Sequence, residues 1–270
     1  MRASGALLAA LLSISSIGTG AAEEIKVIGF NIERGFKPNA DPEFIADQMQ
    51  NYTATDLWGI SENDAQGTTT KLKNAAREAA NGASVQAIEG TTSSDRLLIL
   101  YREDKFDLLG TEELDDIQFG SGGRAPLVAR FNLKSSGTEF LFVVNHLHRT
   151  NKTKRHNQAQ KLNSWARQQA LPIITIGDFN FDWNFIGDHS RDKGYGLLTK
   201  DDVFAWVRPD ILTPTQCHET FKSVLDFAFV AGEAKQWPRE AEILERQPDY
   251  CPDTDQKADH RPIRLVISVP

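Results

Sequence analysis

The stretch Pro172-Ile-Ile-Thr-Ile-Gly-Asp-Phe-Asn180 decides how the rest of the chain reads. Ile173 to Ile176 form a short apolar and β-branched run of the kind that fills a buried strand. Gly177 closes it, and Asp178 and Asn180 follow at once. Residues two apart on an extended backbone point the same way. The Asp178 carboxylate and the Asn180 amide can therefore face one reacting centre. A single Asp or Asn behind a strand is ordinarily a turn residue, so the weight falls on recurrence along the chain.

The same arrangement recurs along the chain: an apolar strand ends and a polar residue of acid–base or metal-binding type follows. Glu24-Ile-Lys-Val-Ile-Gly-Phe30 leads into Asn31, and Asp56-Leu-Trp-Gly-Ile60 leads through Ser61 into Glu62. Phe140-Leu-Phe-Val-Val144 leads through Asn145 into His146, Asp226 lies within Leu225–Val230, and Asp259-His260 opens the strand Ile263–Ser268. Leu97–Tyr101, Phe106–Leu109 and Leu127–Phe131 complete the strand-like runs. Asp41 followed by Pro42 is an N-cap with Pro at N1 and predicts a helix to about Tyr52, with Phe44, Ile45 and Met49 as its apolar stripe. Two more helices are expected, at Lys71–Ala80, stopped by Asn81-Gly82, and at Arg155–Ala170. Strands in both halves with helices between them predict an α/β fold, a four-layer sandwich of two packed β-sheets flanked by helices. Strand ends at one sheet edge converge on a cleft. Oxygen donors from Asn, Asp and Glu suit a hard cation such as Mg²⁺ better than zinc.

Arg2, the apolar run Ala6–Ile17 and the small residues Gly18–Ala22 read as an export signal over residues 1–22, leaving one domain at 23–270. A spanning helix needs about 20 apolar residues, and Ser13, Ser15, Ser16, Gly18 and Thr19 interrupt this one. The expectation is therefore a secreted or periplasmic protein with no membrane span after cleavage. Cys217 and Cys251 are the only cysteines. In an oxidising compartment they can form one disulfide joining the loops ahead of two site strands. The net charge of −7 argues against a broad nucleic-acid footprint but leaves room for a local basic groove.

Taken in order, Asn31, Glu62, His146, Gly177-Asp-Phe-Asn180, Asp226 and Ala258-Asp-His260 resemble the motifs of the endonuclease/exonuclease/phosphatase superfamily, across about residues 25–268. Ser61-Glu62 stands where the family usually has Gln-Glu, and Ala258 where it usually has Ser; both departures keep the reactive residues. His146 in place of Tyr, the strand Arg124–Phe131, and the Asp95-Arg96 pair resemble the DNase I branch. The resemblance implies a Mg²⁺-dependent (or Mn²⁺-dependent) phosphoesterase. Glu62, Asn31 and Asp259 would hold the metal, and Asp178 and Asn180 would position water or phosphate. His260 would act as general base with Asp226 fixing its tautomer. His146 would act as electrophile or acid, held by Asp95, with Arg124 clamping a phosphate oxygen.

Three functions remain open on this reading. A nuclease acting on DNA or RNA is expected first, as a monomer. The second is a hydrolase of small or lipid phosphate esters, of the phosphoinositide or sphingomyelin type. Lys222-Ser-Val-Leu-Asp-Phe-Ala-Phe229 lacks the Arg-rich signature of the inositol phosphatases, and no long aromatic hairpin like that of the sphingomyelinases is evident. The third is a binding protein on the same fold, disfavoured by the full motif set. His148, His156, His189 and His218 carry no motif support. Asp182 and Trp183 are expected to shape a substrate wall, with a core position as the alternative for Trp183.

Overall fold

The computed structural model describes residues 22–34, 40–64, 67–92, 95–118, 124–184, 186, 188–218, 222–251, 254 and 256–270. The export signal expected at 1–22 lies outside these residues apart from Ala22. In chain order the elements are β1 (Glu23–Asn31), α1 (Pro42–Gln50), β2 (Leu57–Asn63), α2 (Thr68–Ala79), β3 (Val85–Glu89), β4 (Arg96–Arg102), β5 (Phe106–Glu113), β6 (Leu127–Leu133), β7 (Thr138–His146) and α3 (Lys152–Ala166). They continue with β8 (Ile173–Asn184), α4 (Lys193–Leu198), β9 (Phe204–Trp206), β10 (Ser223–Ala231), β11 (Arg239–Ile243) and β12 (Ile263–Val269). Two six-stranded sheets result, ordered β11-β12-β1-β2-β4-β3 and β5-β6-β7-β8-β10-β9.

Strand alternation sorts the apolar residues into layers. In β1, Ile25 and Val27 point between the sheets, while Ile28 and Phe30 point outward beneath α1 and α2. In β8, Ile174 and Ile176 point between the sheets, while Phe179 and Phe181 point outward beneath α3 and α4. The result is helix, sheet, sheet, helix, the expected four layers. The middle layer is dry and aromatic: Phe106, Phe131, Phe140 and Phe142 are fully buried there. Truncating one such ring to Ala costs about 3–5 kcal/mol.

Two glycines set how closely the sheets approach. A Cβ on Gly29 would stand 2.6 Å from Ile176 Cγ1, and one on Gly59 would stand 2.7 Å from Ile176 Cγ2 and 2.9 Å from Val144 Cγ2. Both positions face the opposite sheet, near the strand ends that carry Asn31 and Glu62. Any side chain there would separate the layers at this level.

Two parallel pairs matter for function. β1 pairs with β2, and β7 pairs with β8, so each pair needs a crossover, supplied by α1 and α3. Such crossovers bring the C-terminal ends of their strands to one edge. Several local expectations need correction. Phe44 is 41% exposed, and α1 buries Ile45, Ala46, Gln48 and Met49 instead. Helix α2 begins at Thr68 rather than Lys71, and α3 spans Lys152–Ala166 rather than Arg155–Ala170. Strand β5 runs on to Glu113 with Leu108 and Leu109 exposed. Among the described residues no helix is long and apolar enough to cross a membrane.

Candidate active site

The motif residues converge because most of them share one parity. Asn31 continues the inward series Ile25, Val27, Gly29. His146 continues Phe142 and Val144, Asp178 continues Ile174 and Ile176, Asp226 precedes Ala228 and Val230, and Asp95 precedes Leu97 and Ile99. Each therefore points between the sheets where the apolar filling stops. The site is the polar cap of the inner layer.

Register then sets the contacts. His146 lies opposite Asp178 in the β7–β8 pair, and Asp178 lies opposite Asp226 in the β8–β10 pair. Directly opposed residues share a face, so the three side chains form a row across three strands. Gly177, one residue back, is opposite Asn145 at φ 139°, and a Cβ there would lie 2.1 Å from the Asn145 carbonyl oxygen. Only glycine fits. Glu62 has the wrong parity, but a register shift between Ile60 and Asn63 and a φ of 60° re-aim it. Bulges commonly serve this purpose near active sites. Another register shift, between Val224 and Asp226, adjusts β10.

The sheets meet at Asn31. Its Nδ2 donates to Glu62 Oε1 at 3.0 Å and to Asp178 Oδ2 at 3.3 Å, the latter from the other sheet. Its Oδ1 accepts from the Glu33 backbone N–H, and Glu33 Oε2 in turn accepts from the Asp259 backbone N–H at 3.1 Å. Glu33 was not anticipated from the sequence. Only the strand-end rule extended by two residues would have pointed to it. Asn180 donates its side-chain amide to the Leu147 carbonyl, and its backbone N–H goes to Asp178 Oδ1. It holds Asp178 and the end of β7 in place.

Two Asp–His pairs flank Asp178. His260 Nδ1 lies 2.7 Å from Asp226 Oδ2, and its Nε2 lies 4.0 Å from Asp178 Oδ2. His146 Nε2 lies 3.4 Å from Asp178 Oδ2 and 3.7 Å from Glu62 Oε1, while its Nδ1 lies 3.5 Å from Asp95 Oδ1. Burial and the Arg124 charge hold the His146 pKa well below its usual value, against the opposing pull of Glu62. Burial would depress His260 too, but Asp226, Asp259 and Asp178 together hold it well above. The two rings are thus pushed in opposite directions. Burial and the nearby Asp226 charge push Asp178 up to about 7. Burial pushes Asp95 up to about 6, against the pull of Arg124.

Not every anticipated contact forms. Arg124 Nη1 is engaged with Asp95 Oδ2 at 2.6 Å, so it braces the Asp95–His146 pair instead of reaching into the cleft. Asp259 is anchored by its backbone and comes no nearer to His260 Nε2 than 3.8 Å. It belongs to neither of the two compact donor groups, Glu62–Asp95–His146 and Asp178–Asp226–His260. His148 caps a loop by accepting from Asn151 N–H, and His156 pairs with Asp192. Trp183 is half-buried against Tyr195 and Trp206, with the Arg191 guanidinium over its face. Cys217 and Cys251 form the expected disulfide. It lies beside the Gln216–His260 bridge and the Cys217 N–H bond to Asp259, so it fastens the segment carrying the Asp259-His260 pair.

A cleft of about 190 Å³ opens over Glu62, Asp178, Asn180, Asp182 and His260. A larger hollow of about 640 Å³, between Trp206, Trp237 and Arg264, contains none of these groups, so chemistry assigns the function to the smaller one. Glu62 and Asp178 offer hard oxygen donors, and the Asn31 Nδ2 that now bridges them stands where a cation would draw both carboxylates. The donor set fits a divalent cation.

The model of the endonuclease/exonuclease/phosphatase family matches residues 28–247. The chain belongs to that family. Its members are metal-dependent phosphoric ester hydrolases, and this chain is a phosphoesterase of the superfamily. Solved structures share the fold at low identity. D. rerio TDP2 complexed with a single-strand DNA product aligns at TM-score 0.70 and 15% identity, over 91% of this chain and 99% of that one. The human nocturnin catalytic domain aligns at 0.62 and 16%, over 92% and 95%. Bacteroides thetaiotaomicron mannosyl-6-phosphatase Bt3783 aligns at 0.61 and 20%, over 89% and 98%. No curated protein matches the sequence.

Proposed function

We propose that this family member is an exported, Mg²⁺-dependent phosphodiesterase that hydrolyses DNA or RNA as a monomer. Mn²⁺ would substitute for Mg²⁺. The observation that carries the reading is the placement of two histidines on either side of Asp178, His260 Nε2 4.0 Å and His146 Nε2 3.4 Å from its Oδ2. In-line attack on a phosphodiester needs a base on the entering side and an acid on the leaving side. His260, oriented through Nδ1 by Asp226, presents Nε2 to the water. A divalent cation held beside Asp178 would offset carboxylate charge that favours the protonated His260 ring. In its neutral form that ring would serve as the base. His146, with Asp95 facing Nδ1, would take a proton at Nε2 from solvent water as the phosphate charge approaches. It then donates that proton to the leaving oxygen as the P–O bond breaks. Glu62, Asn31 and Asp178 would hold the divalent ion, with Asp259 at the margin; when bound, it supplies Lewis-acid stabilisation of the charge on the phosphoryl oxygens.

Nucleic acid is favoured by the fold neighbour described as TDP2 complexed with a single-strand DNA product. The mannosyl-6-phosphatase neighbour favours a small phosphomonoester as the second reading. Export is supported by the apolar N-terminal segment and the disulfide, and the monomer by a site built from one chain. The test is an assay with Mg²⁺ on plasmid DNA, RNA, bis-p-nitrophenyl phosphate and p-nitrophenyl phosphate. Cleavage of the diesters, lost in EDTA and restored by Mg²⁺ or Mn²⁺, is expected. Turnover of the monoester alone, or full activity in EDTA, would reject the proposal.

A further inference from the structure

The crossover between β7 and β8 has an unusual charge. From Phe140 to Gly177 the chain has no Asp or Glu and six Lys or Arg, in a protein of net charge −7. Topology fixes where the first of these fall. Strand β7 ends at His146, and the parallel partner β8 carries Asp178 opposite it. The connecting segment must therefore leave over the reactive edge before α3 runs back along the sheet. Arg149 and Lys152 are the first two cations on that path, and both line the cleft with Glu62, Asp178 and His260.

Their neighbours are already committed. Arg155 is buried, donating to the carbonyls of His148 and Arg149 and pairing with Asp192 at 2.8 Å. His156 shares Asp192, and Arg167 pairs with Asp201. Arg149 and Lys152 are exposed, and among the described residues no carboxylate pairs with either. Arg155 holds the Arg149 carbonyl, so the backbone of this turn is fixed while the cationic heads stay free. The Arg149 charge is also felt at His146, whose pKa it helps to lower.

We infer that Arg149 and Lys152 form a subsite for the phosphate adjoining the scissile one on a nucleic-acid strand. The inference rests on the nuclease reading and extends it. A lone diester fills only the carboxylate-lined half of the cleft, and a strand places its next phosphate against the cationic half. Such contacts position the chain without reading its sequence, and each shows as a salt dependence of binding. The subsite would therefore select polyanions over single phosphate esters, with little preference among bases.

The experiment compares the wild-type protein, Arg149→Gln/Lys152→Gln, and the charge control Arg130→Gln/Lys134→Gln outside the cleft. The readouts are kcat/KM on a single-stranded oligonucleotide and on bis-p-nitrophenyl phosphate, as a function of NaCl. For Arg149→Gln/Lys152→Gln the ratio of oligonucleotide to bis-p-nitrophenyl phosphate activity should fall about 10-fold or more. The log–log salt slope for the oligonucleotide should flatten by about one. The control should keep the wild-type ratio. A wild-type ratio and slope in Arg149→Gln/Lys152→Gln would overturn the subsite while leaving the nuclease reading standing. Equal losses on both substrates would overturn it as well, since the cations would then serve the scissile phosphate. A wild-type protein that hydrolyses bis-p-nitrophenyl phosphate but no oligonucleotide would overturn the nuclease reading itself.

Discussion

Replacing Gly59 with Ala should impair catalysis without touching any reactive group. The added methyl would stand 2.7 Å from Ile176 Cγ2 and 2.9 Å from Val144 Cγ2, where ordinary contacts begin near 3.4 Å. Relief requires about 0.5–1 Å of separation between the sheets or a strained rotamer at Ile176. The Asn31–Asp178 hydrogen bond crosses the same gap two residues further on, already at 3.3 Å. A further half-ångström breaks it. Overpacking of this kind costs about 1–3 kcal/mol, and misplacing catalytic groups by about 1 Å can cost about 10²-fold in rate. Urea unfolding and kcat on bis-p-nitrophenyl phosphate measure the two effects. Gly110→Ala, in the edge strand β5 where an added Cβ meets nothing within 4 Å, gives a comparison with no bearing on the sheet spacing. A Gly59→Ala protein with wild-type stability and kcat would refute the claim that sheet spacing sets the site.

Asp226→Asn keeps the shape but removes the charge that supports His260, so kcat should fall about 10²–10⁴-fold with little change in substrate affinity; steady-state kinetics check it. In metal-free protein, Asp178 titrates near pH 7 because burial and Asp226 oppose its ionisation. The folded chain therefore holds a proton that the unfolded chain releases near pH 4, and this contribution to stability is lost as pH rises from about 4 to 7. Asp178→Asn should consequently melt higher than wild type in EDTA at pH 8 and show no such advantage at pH 4, as read by circular dichroism. The cysteines stand 34 residues apart, for which loop closure predicts roughly 3–4 kcal/mol. Cys217→Ser/Cys251→Ser should unfold at correspondingly lower urea.

The positions of the reactive residues were legible because strand ends announce themselves locally. An apolar run, a parity and a polar residue at the stop are all written within a few positions, as at Gly177-Asp-Phe-Asn180. The contacts between them were not, because Asn31 and Asp178 are 147 residues apart and meet only through sheet packing. The value of Gly29 and Gly59 is invisible without Ile176 opposite them. Glu33 carried no apolar run of its own length to mark it. Strand β11, Arg239-Glu-Ala-Glu-Ile243, went unseen because it is an edge strand whose charges guard against pairing with other chains. Phe44 was placed inward because periodicity cannot tell which apolar position lies at the rim of a helix. Arg124 fits the motif by type, but Asp95 claims its guanidinium.

Strand β1 has a parallel neighbour close by in sequence, Leu57–Asn63, and an antiparallel neighbour far away in sequence, Ile263–Val269. His260 arrives in the same final segment. During synthesis the growing chain can stack β2 and its helices against β1, yet one flank of β1 stays bare and the reactive cap lacks one of its two imidazoles. Docking of β12 onto β1 and delivery of His260 to the reactive edge are therefore one event, so the sheet and the site close together.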